Sequence, residues 1–326
     1  MSKEDSDLWR IRVDTGGTFT DCWALAPGNT VPRYLKVLSS GELRLSCPED
    51  TLEIPRSWEL SESFFRGWSR RRIGRESVSL STGETAPQIG MRILTQTPLG
   101  DAFPPIDLRL ATTRGTNALL EGKGAATVLL VTRGFADLLL IGDQRRPDLF
   151  SLSQNLPSPI PVSTIEVEGR LDAAGHPLSP LSLSQESRRR LSDLVSQGVR
   201  HAAVALLHSY RNPTHEKELE EILQTLGFDH VSLSSELAPL IKILPRTETA
   251  VVDSTLTPVL GEFLDQVQSS GADLKVMTSS GSLLPRRAFR PKDSLFSGPA
   301  GGVVGAAAIG RRWGRQSLIA FDMGGT

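Results

Sequence analysis

An Asp-x-Gly-Gly-Thr pentapeptide occurs twice in this 326-residue chain, as DTGGT at 14–18 and DMGGT at 322–326, each directly after an apolar, strand-like run. These residue types suit a phosphate group. Glycine lets backbone N–H groups approach an anion closely, threonine adds a hydroxyl donor, and aspartate can hold a hydrated Mg2+ against phosphate oxygens. Two such loops on facing lobes could grip the phosphate chain of one nucleotide from both sides, with the cation bridging them. A glycine hairpin that merely reverses the chain is the plainer account of one isolated copy, and the second copy weakens it. No G-x-x-x-x-G-K-[ST] loop is present, and the rival glycine cluster, GPAGGVVGAAAIG at 298–310, lacks a convincing preceding strand for a dinucleotide fold.

Other polar groups are weaker candidates. Thr112, Thr113, Thr116 and Asn117 form a hydroxyl-rich approach to a helix start, suited to an anion or substrate carboxylate and equally to N-capping. Arg246, in PRTET, could pair with a substrate carboxylate or sit in an ordinary surface ion pair. His215-Glu216 could be an acid–base pair, but its place in the first turn of an amphipathic helix favours capping by Thr214 and a dipole role for Glu216. His201, His208 and His230 lack ligand spacing, which argues against a histidine metal site. Ser279, Ser280 and Gly281, and the SGPAGG run from Ser297, could line a cleft or approach a phosphate.

The elements that must position these groups follow from periodicity. Trp9, Ile11 and Val13 alternate with charged residues and Cys22 begins a returning strand, so the chain opens with a hairpin whose turn is the first glycine loop. Residues 40–105, rich in proline and carrying the basic cluster RGWSRRRIGR, read as an irregular insertion with a few short strands and a solvated charged face. Beyond 108 the pattern predicts α/β structure: a helix over 115–124, strands over 126–132, 164–171 and 202–207, and an amphipathic helix over 213–227. Ser182 and Gln185 have capping-box spacing before a helix ending near Gly198. A long helix is expected over 247–269 with Pro258 marking a kink or break, then strands over 274–278 and 317–321. Three regions are expected: 1–110 with the phosphate loop and insertion, 111–296 as the α/β core, and 297–326 as the start of a second lobe. The chain stops at the second loop, before a returning strand or an adenine-holding segment, so the rest of such a site is expected from further sequence or another chain.

Composition narrows the class. With 39% hydrophobic and 22% charged residues the chain can bury a sizeable core, and its length suggests about two domains. Thirty-six basic against 37 acidic residues give a net charge of -1, no bulk reason to bind nucleic acid or an anionic membrane. Two cysteines, Cys22 and Cys47, are too few for a disulfide framework, and no basic and apolar leader or membrane-length apolar run occurs. A soluble cytoplasmic protein is expected.

RIRVDTGGTFTD, ATTRGTNALLEGKGA, TRGFADLLLIGDQRRPDLF, HSYRNPTHE, LPRTETAVVDSTLTP, SGPAGGVVGA and FDMGGT, in that order, resemble the N-terminal part of the hydantoinase A/5-oxoprolinase family. The departure is LKVLSSGELRLSCPEDTLEIPRSW, where the family has a lysine- and threonine-containing strand-loop followed by a helix. The resemblance implies an α/β, actin-like ATPase architecture of two RNase H-like lobes that close over ATP. It implies ATP spent on opening a cyclic amide, 5-oxoproline foremost, by phosphorylating the amide oxygen. N-methylhydantoin hydrolysis, ketone carboxylation and a non-catalytic nucleotide-binding module are the alternatives. It further implies a lactam or hydantoin substrate and a hydantoinase B-type subunit or domain as partner. In this scheme Asp14 and Asp322 order Mg2+, while Thr15, Gly16, Gly17, Thr18, Thr20, Asp21, Gly324, Gly325 and Thr326 surround the nucleotide.

Overall fold

Strict alternation builds the first sheet. In β1 (Trp9–Thr15), Ile11, Val13 and Thr15 are buried while Arg10 and Asp14 are exposed, and β2 (Phe19–Leu25) and β3 (Arg33–Leu38) repeat the pattern with Cys22, Ala24, Leu35 and Val37 inward. The computed structural model describes residues 8–145, 150 and 158–321. Chain order continues with β4 (Leu43–Ser46), β5 (Ser69–Gly74), β6 (Ser77–Ser81), α1 (Ala86–Thr95), β7 (Ile106–Thr112) and α2 (Arg114–Leu120). Next come β8 (Thr127–Thr132), α3 (Leu138–Ile141), β9 (Ser163–Leu171), β10 (Pro177–Ser182), α4 (Gln185–Ser196), β11 (His201–Ala205) and α5 (Thr214–Leu226). The chain then forms β12 (His230–Leu233), α6 (Ser234–Leu237), α7 (Ile243–Gln268), β13 (Asp273–Met277), β14 (Leu283–Pro285) and α8 (Ser297–Arg312). No helix among the described residues is long and apolar enough to cross a membrane.

Two units result, Met1–Glu121 with Val259–Thr326, and Gly122–Pro258. The first holds a six-stranded sheet in the order β14-β13-β7-β1-β2-β3, with β1 antiparallel to β2 and parallel to β7. Helix α1 covers the buried face of β1 to β3. Its Gly90 lies so close to β2 that a Cβ there would stand 2.4 Å from Cys22 Sγ, and burial pushes the Cys22 thiol up to about 12. Gly90→Ala is therefore expected to lower the melting temperature, because overpacking costs about 1–3 kcal/mol against a helix-propensity gain of about 1. Adding Cys22→Ala should restore it; a Gly90→Ala protein that melts higher than wild type would refute the close contact.

The second unit carries a five-stranded sheet in the order β10-β9-β8-β11-β12, parallel except for β9–β10. Val128, Leu130, Ile165 and Val204 pack under Leu191 of α4 and Leu219 and Leu223 of α5. Leu129, Val131 and Ala203 face Ala250 and Val251 of α7 on the other side. Strand β8 is buried along its whole length, as a central parallel strand covered on both faces should be.

Several expectations need correction. Residues 40–105 are ordered: β4, β6 and β5 form a three-stranded sheet, Phe64, Phe65 and Trp68 stack edge-on, and α1 is a regular helix. Helix α1 was not expected, although Gln88, Arg92 and Thr95 fall at helical spacing among apolar residues; all residues from 86 to 94 are buried. The basic cluster is a solvated face as expected: β5 is exposed throughout, and Arg70, Arg71 and Arg72 pair there with Glu62, Glu42 and Asp50. Ser182 ends the unforeseen strand β10, and the N-cap of α4 is Ser184, whose hydroxyl accepts from Ser187 N at 3.0 Å. Helix α7 begins at Ile243, four residues before its expected start, and includes Pro258. Residues 317–321 form no strand, since none of the described residues pairs with them, and Ile319 is 97% exposed.

Candidate active site

The open face of the six-stranded sheet presents side chains in two rows fixed by register. Asp14 stands opposite Asp21 on β2, which stands opposite Lys36 on β3. One step inward, Arg12 lies between Trp23 and Arg109, with Tyr34 beyond Trp23 and Lys275 beyond Arg109. Like charges directly opposite on neighbouring strands repel. Lys36 relieves this for Asp21 through an ion pair at 3.0 Å. A cavity of about 730 Å3 lies over these rows, with Asp14, Asp21, Trp23, Arg109 and Met277 in its lining. Arg12 is held by Asp107 at 2.8 Å; burial lowers its guanidinium pKa and Asp107 opposes the shift.

The hairpin at the end of β1 supplies the loop. Gly16 N donates to Phe19 O at 3.0 Å, leaving Gly17 and Thr18 exposed at the tip. Gly17 lies against Asn117, since a Cβ there would stand 3.0 Å from Asn117 Nδ2. This neighbour arrives through β7: Thr112 is in register with Thr15, and Thr113 N donates to Thr15 O at 3.0 Å. Asn117 Nδ2 in turn donates to Thr113 Oγ1 at 3.3 Å.

The predicted residues thus separate. Asp14, Gly16, Gly17, Thr18, Asp21, Thr113 and Asn117 gather around one loop and its carboxylates. Thr15 and Thr20 do not present their hydroxyls there: strand alternation turns both to the covered face, where each is 0% exposed. Thr112 is buried and its hydroxyl accepts from Arg114 N, while Thr116 donates to Leu295 O at 2.7 Å, so both serve the fold. Asp322, Gly324, Gly325 and Thr326 lie outside the described residues.

Arg246 is neither at a surface nor at a substrate. It is fully buried in the second unit, donating to Ser209, Ser234 and, at 2.7 Å, Leu206 O, with Glu216 at 3.5 Å. Burial lowers its pKa and Glu216 opposes the shift. Glu216 likewise has no exposed dipole role, its carboxylate accepting from Leu206 N, Ser209, Ser234 and Ser235 N. The helix pattern gave no sign of this, because the partners come from three separate segments.

Ser39 and Lys36 went unread, since β3 itself carried no signal beyond its short alternation. Ser39 Oγ donates to Gly16 O at 2.8 Å and lies 3.0 Å from Thr20 Oγ1, and Ser39 N donates to Thr18 O at 2.9 Å. The arrangement fits MgATP chemically. Mg2+ takes one or two carboxylates and otherwise water and phosphate oxygens, which is what an exposed Asp14 beside Asp21 and a glycine hairpin offer. No cluster of three or more metal-ligating side chains occurs among the described residues.

Fold and site together define an α/β protein that presents a glycine hairpin beside paired carboxylates on a mixed sheet. The chain belongs to the hydantoinase/oxoprolinase family: residues 80–227 match the hydantoinase/oxoprolinase N-terminal region and 246–326 match the hydantoinase/oxoprolinase region that follows. It is 34% identical over 351 residues to 5-oxoprolinase 1 of Arabidopsis thaliana, an alignment covering 97% of this chain and 25% of that protein. The chain thus spans about a quarter of the length of that relative. Among solved structures it resembles the ATP-dependent caprolactamase of Pseudomonas jessenii, with TM-score 0.65, 24% identity, and 97% of this chain and 42% of the other covered. Nucleotide-free acetone carboxylase is similar, with TM-score 0.65, 21% identity, and coverage of 94% and 41%. At these identities the likeness is one of fold.

Proposed function

We infer that this chain supplies the first phosphate loop of an ATP-dependent enzyme that opens a cyclic amide, with 5-oxoproline as substrate and glutamate as product. The observation that carries the reading is the register of Asp14 and Asp21 on the open sheet face beside the exposed Gly17-Thr18 tip. An amide is a poor electrophile because nitrogen feeds its carbonyl. Attack of the amide oxygen on the γ-phosphorus of ATP forms a new P–O bond as the bond to ADP breaks, and the oxygen becomes a leaving group. Water then adds to the carbon, the C–N bond breaks as the nitrogen takes up a proton, and a second water attacks the resulting acyl phosphate, leaving the carboxylate and releasing phosphate.

In this scheme Asp14 would hold Mg2+, directly or through water, with Asp322 of the second loop as a further carboxylate. When bound, Mg2+ draws charge from the phosphate oxygens as the phosphoryl group transfers. The Gly17 N–H and the Thr18 hydroxyl contact phosphate, and the Asn117 amide closes the side of the loop. Support comes from the Arabidopsis relative, named as a 5-oxoprolinase, and from an ATP-dependent caprolactamase among the fold's neighbours. A hydantoinase B-type chain or domain completes the assembly in this reading.

The test is ATP hydrolysis with and without 5-oxoproline, by this chain and by a polypeptide extended past Thr326 together with a B-type subunit. Glutamate release coupled to ATP hydrolysis in the extended assembly is the expected result. Coupling to N-methylhydantoin, or to acetone with bicarbonate, instead would reassign the substrate. No ATP hydrolysis under any of these conditions would leave only the fold.

A further inference from the structure

We propose that Ser39 is the positioning residue of the first phosphate loop, setting the direction of the peptide groups that meet the nucleotide. The inference rests on the reading of residues 14–21 as a nucleotide loop. Ser39 follows β3 and touches the hairpin at three points: its Oγ–H donates to Gly16 O at 2.8 Å, its N–H donates to Thr18 O at 2.9 Å, and its oxygen lies 3.0 Å from Thr20 Oγ1. Because the single Ser39 hydroxyl proton is committed to Gly16 O, Thr20 must donate the third contact. The result is a relay from Thr20 through Ser39 to the Gly16 carbonyl.

The geometry gives this relay a consequence at the tip. In a planar trans peptide the C=O and N–H point in opposite directions. Fixing the Gly16 carbonyl toward Ser39 therefore turns the Gly17 N–H away from it. Fixing the Thr18 carbonyl does the same for the Phe19 N–H. Glycine leaves the backbone free to rotate either way, so without Ser39 the peptide after Gly16 loses the contact that selects one orientation. Asn117, packed against Gly17, limits movement of the tip on its own side. Thr20 is wholly buried, so the relay is anchored in the core rather than in solvent.

The test compares wild type, Ser39→Ala and Ser39→Thr in two measurements. Hydrogen exchange of this chain reads the loop without any ligand, and steady-state kinetics of the extended enzyme reads the site. Ser39→Ala should speed exchange within residues 14–21 and leave the sheet core unchanged. It should raise the KM for MgATP about tenfold, the size of one lost hydrogen bond that orients a binding group, with a smaller change in kcat. Ser39→Thr, which keeps the hydroxyl, should restore both. Unchanged exchange in Ser39→Ala would overturn the positioning role. Faster exchange with a wild-type KM would overturn its link to the nucleotide. A general rise in exchange that threonine does not rescue would reduce Ser39 to a fold contact. Failure of the wild-type enzyme to use MgATP at all, with the exchange result intact, would remove the nucleotide reading and the role built on it.

Discussion

Asp14→Asn is expected to lower MgATP-dependent turnover of the extended enzyme by about 10^2-fold or more, the range seen when one preorganised charge-stabilising group is removed. The fold should survive. Asp14 is exposed at the end of β1, its inward neighbours Val13 and Thr15 carry the packing, and asparagine keeps its size. Removing one of two opposed carboxylates even relieves repulsion between Asp14 and Asp21. The measurement is ATP hydrolysis against Mg2+ concentration, beside a thermal melt of the same protein. Loss of turnover with an unchanged melt supports the assignment. Wild-type turnover at every Mg2+ concentration would end it.

The second large effect concerns stability. Arg246→Met should destabilise the second unit by about 3–5 kcal/mol, because it leaves the buried Glu216 carboxylate without its cation. At about 2–4 °C per kcal/mol for a unit of this size, the melt should fall by about 10 °C. Ser209 and Ser234, which now stand between the two charges, would lose one of their partners as well. The double change Arg246→Met, Glu216→Leu removes both charges and should recover most of the loss, since apolar replacements of a buried pair are often neutral. If Arg246→Met melts with wild type, the ion pair is not holding the ends of β11, α5 and β12 together.

The contrast between these two sites shows what a linear reading can reach. The first loop was legible because its chemistry and its geometry lie within eight consecutive residues, and the strands on either side alternate cleanly. The helices α2, α4, α5 and α7 and the strands β8, β9, β11 and β13 were legible because apolar runs, helical spacing and glycine stops mark them, as at Gly227 after α5, whereas α3, β10, β12 and α6 carried no such mark. Ser39 and Lys36 were not, because their meaning depends on β3 pairing with β2, a long-range fact. Thr15 and Thr20 were misread as ligands because residue type was weighed without strand parity, which turns them inward. Arg246 was misread because a sequence does not say which side of α7 is covered. Helix α1 did carry helical spacing, in Gln88, Arg92 and Thr95, but inside the proline-rich stretch read as irregular.

Strand β5 has a bearing on how the protein behaves among other chains. All six of its residues are exposed and, among the described residues, it pairs only with β6, so its outer edge offers unpaired backbone to any passing strand. Arg70 and Arg72 flank that edge on one face and Arg71 on the other, each tethered to a carboxylate of a neighbouring segment. A second chain docking edge-on would have to displace these ion pairs and dehydrate three guanidinium groups. Charged side chains along an edge strand oppose intermolecular sheet extension, and these three arginines stand where such extension would start.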